Sequence, residues 1–174
     1  MALLPPKNAQ KILSTLQIEQ KINRMAYEIL ETNYQEKDII ILGIEDGGFQ
    51  LAGLLAMKIQ TIQDIQIELF SIYVNKEDLY SEVPFIRNAT DSLKNKHIIL
   101  VDDVGNSGAT LFHALQTIYP LNPLSIHVAV LIDRTHKKFP IKADIIGLDL
   151  ATTMTDHIHV VFDEKGAPEG AYVY

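Results

Sequence analysis

Two adjacent carboxylates, Asp102 and Asp103, stand at the end of the apolar run His97-Ile98-Ile99-Leu100-Val101, and the small polar segment Gly105-Asn106-Ser107-Gly108-Ala109-Thr110 follows them. The run is rich in β-branched residues and reads as a buried strand that ends at the acidic pair. Leu111, Phe112, Leu115 and Ile118 are then spaced for the buried face of a helix. A strand that turns directly into a helix aims unpaired backbone N–H groups and the positive end of the helix dipole at one point, where a phosphate can sit. Ser107 and Thr110 add hydroxyl donors, while Gly105 and Gly108 let the backbone come close. The carboxylates need another partner, because a dianionic pair repels a phosphate unless it faces hydroxyl groups or Mg²⁺. A sugar phosphate meets both demands, with its phosphate in the turn and its ribose hydroxyls on Asp102 and Asp103. The plain alternative is that Asp103 caps the helix and Asp102 is solvated. The buried strand before the pair and the hydroxyl-rich turn after it favour ligand binding.

The elements that must position these residues alternate in type. Ile18, Ile22, Met25, Ala26, Ile29 and Leu30 mark an amphipathic helix after a Pro-Pro start. Asp38 to Ile44 is a continuous apolar run, read as a buried parallel strand. Gly43 to Gly48 form a turn, and Leu51, Leu54, Leu55 and Ile59 carry a second helix. Ile65 to Tyr73 alternates as a further strand. Between Val74 and Leu93 periodicity fails, and so long a connection inside a compact domain reads as a flexible lid. Ser125–Ile132, Ala143–Leu150 and His157–Phe162 supply later strands. The pattern predicts one domain over 1–174, a three-layer α/β fold with a mostly parallel central sheet. Ligands of such sheets sit at the carboxyl ends of the strands, where Gly43–Gly48 and Asp102–Thr110 both fall.

Composition sets the outer limits. The chain has 174 residues, 47% of them hydrophobic and 21% charged, which suits a globular domain with its own core. A net charge of −7 argues against a surface that grips nucleic acid throughout, although Arg134, Lys137, Lys138 and Lys142 lie close together in sequence. Cysteine is absent, which excludes disulfides and thiolate chemistry. The six histidines include no His-Glu-x-x-His motif, and the alternating pair His157 and His159 is read as structural. No signal-like start or long apolar run is found, and a cytoplasmic location is expected. Neither a Gly-Lys-Ser/Thr P-loop nor a Gly-x-Gly-x-x-Gly turn after a strand occurs.

The segment ILVDDVGNSGAT resembles the ribose-phosphate signature of the type I phosphoribosyltransferases, and the similarity covers nearly the whole chain. IIILGIEDGGFQLAGLLA resembles the family's pyrophosphate loop, and AVLIDRTHKKFPIKADIIGLDL its base-binding region, about 133–165. The pattern Leu-x-Asp-Arg-x-His-x-x-x-Pro-Ile-x-Ala-Asp is closest to the bifunctional pyrimidine-operon regulator/uracil phosphoribosyltransferase group. The resemblance implies transfer of the phosphoribosyl group of phosphoribosyl pyrophosphate (PRPP) to a nucleobase, with Mg²⁺ as cofactor and release of pyrophosphate. It places Asp102 and Asp103 on the ribose as the catalytic pair, Gly105 to Thr110 on the 5′-phosphate, and Glu45, Asp46, Gly47 and Gly48 on pyrophosphate. Residues 74–93 become the lid, Lys142 and Asp163 the base-binding residues, and Asp102, Asp103 and Asp163 the metal ligands. It also implies a homodimer or homotetramer.

Several positions depart from that pattern. Asp46-Gly47 stands where the regulator-type group has Thr-Arg, and Ala109 replaces a basic residue of the phosphate loop. Asn106 stands where many purine enzymes have an acid, and asparagine cannot act as a general base. The lid reads Tyr73-Val74-Asn75-Lys76 and lacks the family's Arg-Asp pair. Uracil and 6-oxopurines both stay open as bases. A second reading is a weakly active or inactive PRPP- or nucleotide-sensing regulator, with RNA admitted as a partner but not favoured by the acidic net charge. A receiver-like phosphoacceptor ranks lower, since its acidic pair is expected near the start of the chain.

Overall fold

The computed structural model describes residues 8–89, 91–153 and 156–174. Thr90 of the lid, residues 154–155 of the base-binding region and the Pro-Pro start lie outside the described residues. The order of elements is β1 (Gln10–Ser14), α1 (Thr15–Thr32), β2 (Asp38–Ile44), α2 (Gly47–Ile62), β3 (Gln66–Tyr73), β4 (Phe85–Ile86), β5 (His97–Gly105), α3 (Ala109–Ile118), β6 (Ser125–Arg134), β7 (Ile145–Leu150), β8 (Ile158–Phe162) and β9 (Pro168–Val173). Six strands form the main sheet in the order β4-β3-β2-β5-β6-β7, parallel except for the short β4. The fold is therefore α/β with a mostly parallel central sheet.

Strand parity sorts the core into two layers. Ile39, Ile41, Ile99, Val101, Ala129 and Leu131 face α1 and α2. Ile40, Leu42, Ile98, Leu100, Val128 and Val130 face α3 and the segment that follows β3. Being buried on both faces explains why β2 and β5 read as unbroken apolar runs rather than alternating ones. Helix α1 starts on a capping box between Ser14 and Gln17 and buries the six residues expected of it, Ile18, Ile22, Met25, Ala26, Ile29 and Leu30.

Three differences from the sequence reading matter for the site. First, β5 does not stop at the acidic pair. It runs to Gly105, so both carboxylates are strand residues, because β6 continues to pair with them as far as Asp133. Second, β8 does not extend the main sheet. It pairs antiparallel with β9, which pairs with β1, forming a separate three-stranded sheet at the carboxyl end of the main one. Third, the stretch from 74 to 93 is tied down. Phe85 and Ile86 pair with Tyr73 and Ile72, Thr117 of α3 donates to the Pro84 carbonyl at 2.5 Å, and the Tyr80 ring meets His113 edge-on at 5.1 Å.

Helix α2 crosses β2 at very short range. A Cβ on Gly43 would stand 2.5 Å from the Phe49 Cα, and both atoms belong to rigid elements. Gly43→Ala is therefore expected to push α2 off the sheet and lower stability by about 1–3 kcal/mol, as overpacked cores do. Chemical denaturation of the two proteins measures the difference.

Candidate active site

The pleat of β5 decides where the acidic pair points. Successive strand side chains face opposite sides, so Asp102 follows Leu100 towards α3 and Asp103 follows Val101 towards α2. Each carboxylate accordingly lines a different cavity. Asp102 lines a small one of about 30 Å³ with Val104, Gly105, Asn106, Ser107, Gly108 and Thr110. Asp103 opens on a cavity of about 530 Å³, bounded by Asp46, Gly47, Lys76, His159 and Asp163. The larger cavity lies between the carboxyl end of the main sheet and the β8 strand of the small sheet, whose Val161 and Phe162 give it an apolar wall.

The turn behind the small cavity has the form expected of a phosphate cradle. Gly108, at the head of α3, has φ +82°, a left-handed conformation that suits glycine. Phe112 N–H donates to the Gly108 carbonyl at 2.9 Å, so the amides of Ala109 to Leu111 precede the helix's own acceptors. Ser107 Oγ accepts from Ala109 N–H at 3.3 Å, and the Ser107 carbonyl accepts from Lys138 and Phe139 N–H. Lys137 donates to the Gly105 carbonyl at 2.7 Å and pairs with buried Asp133, while Arg134 donates to Asn106 Oδ1 at 3.0 Å. Lys137 and Arg134 therefore buttress the turn rather than form an open basic surface.

The plain alternatives for the acidic pair do not survive. Asp103 lies five residues before the cap position of α3, which Gly108 fills with no side-chain bond. Asp102 is only 4% exposed, so it is not solvated. Its burial, and after that the charge of Asp103, push the Asp102 carboxyl well above the usual carboxylate range, with Lys76 pulling the other way.

The expected pyrophosphate residues meet the acidic pair directly. Gly47 and Gly48 open α2 where a side chain would have no room. A Cβ on Gly47 would collide with the Asp103 carboxylate, and one on Gly48 would stand 2.9 Å from the Val101 carbonyl. Asp46, exposed before them, holds φ 71° and ψ −122°, a strained backbone for a non-glycine residue. Glu45 points the other way. Its carboxylate takes the Arg87 guanidinium at both oxygens, Nη2 at 3.1 Å, and this pair holds the Glu45 carboxyl below its ordinary range. The Arg87 guanidinium also lies over Tyr73 and Phe85 at 5.7 and 5.3 Å. Arg87 was hidden in an aperiodic stretch, and its only sequence signal is a lone arginine after Pro84-Phe85-Ile86.

Two further expectations fare differently. Asp163 lines the large cavity, with Oδ1 accepting from Lys165 and Ala167 N–H at 2.8 Å each. His159, read from sequence as structural, lines it as well. Lys142 is exposed and is not among the residues that line either cavity. Beyond it, Asp144 N–H donates to the Val128 carbonyl of β6. Ile141, the residue before Lys142, packs on the phosphate turn, where a Cβ on Gly108 would stand 3.7 Å from the Ile141 Cβ.

The donors present fit a hard cation only in part. Among the described residues no group of three or more His, Asp or Glu side chains is assembled as a ligand set. Asp103 and Asp163 offer carboxylates to one cavity, whereas Asp102 faces the other and resists ionisation. Such a set suits Mg²⁺ held by one or two carboxylates with substrate oxygens completing its shell.

Residues 8–165 match the phosphoribosyl transferase domain family, and the chain belongs to it, in the type I phosphoribosyltransferase group. Among its relatives is the Bifunctional protein PyrR of Ligilactobacillus salivarius, 30% identical over 93% of this chain and 96% of that protein. The Bifunctional protein PyrR of Limosilactobacillus reuteri is 32% identical over 92% and 96%. In fold the chain resembles a hypoxanthine-guanine phosphoribosyltransferase from Bacillus anthracis, with TM-score 0.70 at 19% identity over 85% and 84% of the two chains. It also resembles the hypoxanthine phosphoribosyltransferase of Trypanosoma cruzi, with TM-score 0.72 at 16% identity over 87% and 83%. No helix among the described residues is long and apolar enough to cross a membrane.

Two predictions follow from the close contacts around Asp102 and Asp103. The raised Asp102 value means the folded state binds a proton the unfolded chain has already released. That stabilising proton is fully present below about pH 3.9 and is lost as pH rises through the folded value. Asp102→Asn should therefore melt higher than wild type at pH 8, with the gap closing as pH falls to about 4; a gap independent of pH would contradict the assignment. In the glycine pair, Gly47→Ala meets only a movable carboxylate and should melt near wild type while displacing Asp103. Gly48→Ala meets backbone and should lower the melting temperature.

Proposed function

We propose that the protein is a phosphoribosyltransferase that transfers the 5-phosphoribosyl group of PRPP to a nucleobase, uracil or a 6-oxopurine, with release of pyrophosphate. The observation that carries this reading is the division of the acidic pair between two cavities. A pentose phosphate lying across β5 would place its 5′-phosphate in the turn from Gly105 to Thr110 and its ring hydroxyls along Asp102 and Asp103. Its C1 would then face the larger cavity, with Glu45–Gly48 nearest the pyrophosphate.

The reaction forms a bond from a base nitrogen to C1, breaks the bond from C1 to the pyrophosphate oxygen, and releases the proton of that nitrogen to solvent. Positive charge develops on the ribosyl ring as the old bond weakens, and Asp103 at its edge stabilises that charge. The helix amides of α3 fix the phosphate end, so the ring is held still while C1 moves between its partners. Val161 and Phe162 offer the planar base an apolar wall, and the segment 74–93, which brings Lys76 to the same cavity, would exclude the water that hydrolyses the ring. Asp103 and Asp163 would hold Mg²⁺, which would neutralise charge on the leaving pyrophosphate. Asn106, its amide engaged by Arg134, takes no proton from the base.

A second reading, a sensor that binds PRPP or a nucleotide with little turnover, is favoured by Asp46. This exposed acid lines the cavity where pyrophosphate would lie, and it repels an anion. Mass spectrometry after incubation with PRPP, Mg²⁺ and a panel of uracil, hypoxanthine, guanine, xanthine and adenine separates the two. The enzyme reading predicts one nucleoside monophosphate, lost in Asp103→Asn by roughly a hundredfold or more. Absence of product while PRPP still raises the melting temperature would favour the sensor.

A further inference from the structure

A pyrophosphate needs cations, and the loop that should receive it, Glu45-Asp46-Gly47-Gly48, contains two acids and none. The positive charge comes from the segment after β3. Lys76 Nζ donates to the Glu45 backbone carbonyl at 3.1 Å and lines the large cavity beside Asp46, Gly47 and Asp103. The Glu45 carboxylate is engaged elsewhere, because both of its oxygens take the Arg87 guanidinium. Among the described residues Lys76 has no carboxylate within 4 Å. A lysine donates three hydrogen bonds, and this one is given a single neutral acceptor at the mouth of an acidic cavity.

We propose that Lys76 is the residue that binds the pyrophosphate of PRPP in this chain. Resting on the phosphoribosyltransferase reading above, the assignment adds which group recognises the leaving anion. Arg87 makes the arrangement possible. Anchored by its stack on Tyr73 and Phe85 and by Arg87 N–H to the Ser71 carbonyl at 2.9 Å, it occupies Glu45 and keeps that carboxylate from capturing Lys76. The cation missing from the loop at Gly47 is thus carried by a neighbouring segment. An ammonium suits the task, since it acts as a point charge and needs no fixed fork geometry.

Calorimetric titration of the full chain with PRPP and Mg²⁺, and separately with ribose 5-phosphate, tests this. Ribose 5-phosphate keeps the phosphate and ribose and lacks the pyrophosphate. Lys76→Ala should weaken PRPP at least tenfold and leave ribose 5-phosphate within twofold, while Lys76→Arg should restore most of the loss. Equal PRPP affinity in wild type and Lys76→Ala would overturn the assignment, as would a parallel loss of both ligands. Wild-type protein that binds neither ligand would overturn the phosphoribosyltransferase reading and this assignment with it.

Discussion

The contact on which the site depends is the approach of the α2 N-terminus to the upper end of β5. Gly47 and Gly48 lie against Asp103, Asp102 and the Val101 carbonyl with no room for a side chain. The same helix is pressed onto β2 through Gly43. These contacts set two loops, separated by more than fifty residues in sequence, side by side at the strand ends. Removing Asp102 from water is the cost of that packing, and its raised value records it. A ligand that offers hydroxyl donors to these carboxylates restores what burial took away.

From that contact the division of labour follows through strand geometry alone. Because β5 continues to Gly105, its two acids obey the pleat and serve opposite faces. Had the strand ended at Val101, both could have turned towards solvent. The antiparallel sheet of β1, β9 and β8 then closes the side that Asp103 faces, and the tied segment after β3 brings Lys76 to the same cavity.

Much of this was legible in the sequence. The apolar runs gave β2 its observed limits, and the helical spacing of Ile18 to Leu30 named the buried face of α1. The acidic pair and its turn were readable because their chemistry is local: donors, hydroxyls and carboxylates within nine residues. What failed was non-local. Strands β1 and β9 are short, contain polar residues, and pair across more than 150 positions, so neither carries its own signal. The end of β5 was misplaced because Asp and Gly are poor strand formers, and pairing with β6 overrides that preference. Lys137 and Arg134 looked like ordinary solvated charges because nothing local shows that Asp133, Gly105 and Asn106 would claim them.

The central claim is that a pentose phosphate lies across the end of β5 with one end in the Gly105–Thr110 turn and the other against Glu45–Gly48. Hydrogen–deuterium exchange with and without PRPP and Mg²⁺ tests it most directly. The account predicts protection in two peptides together, one spanning Glu45–Gln50 and one spanning Asp103–Phe112, with little change at the amino ends of the parallel strands. Protection confined to one of these peptides, or centred elsewhere in the sheet, would contradict it.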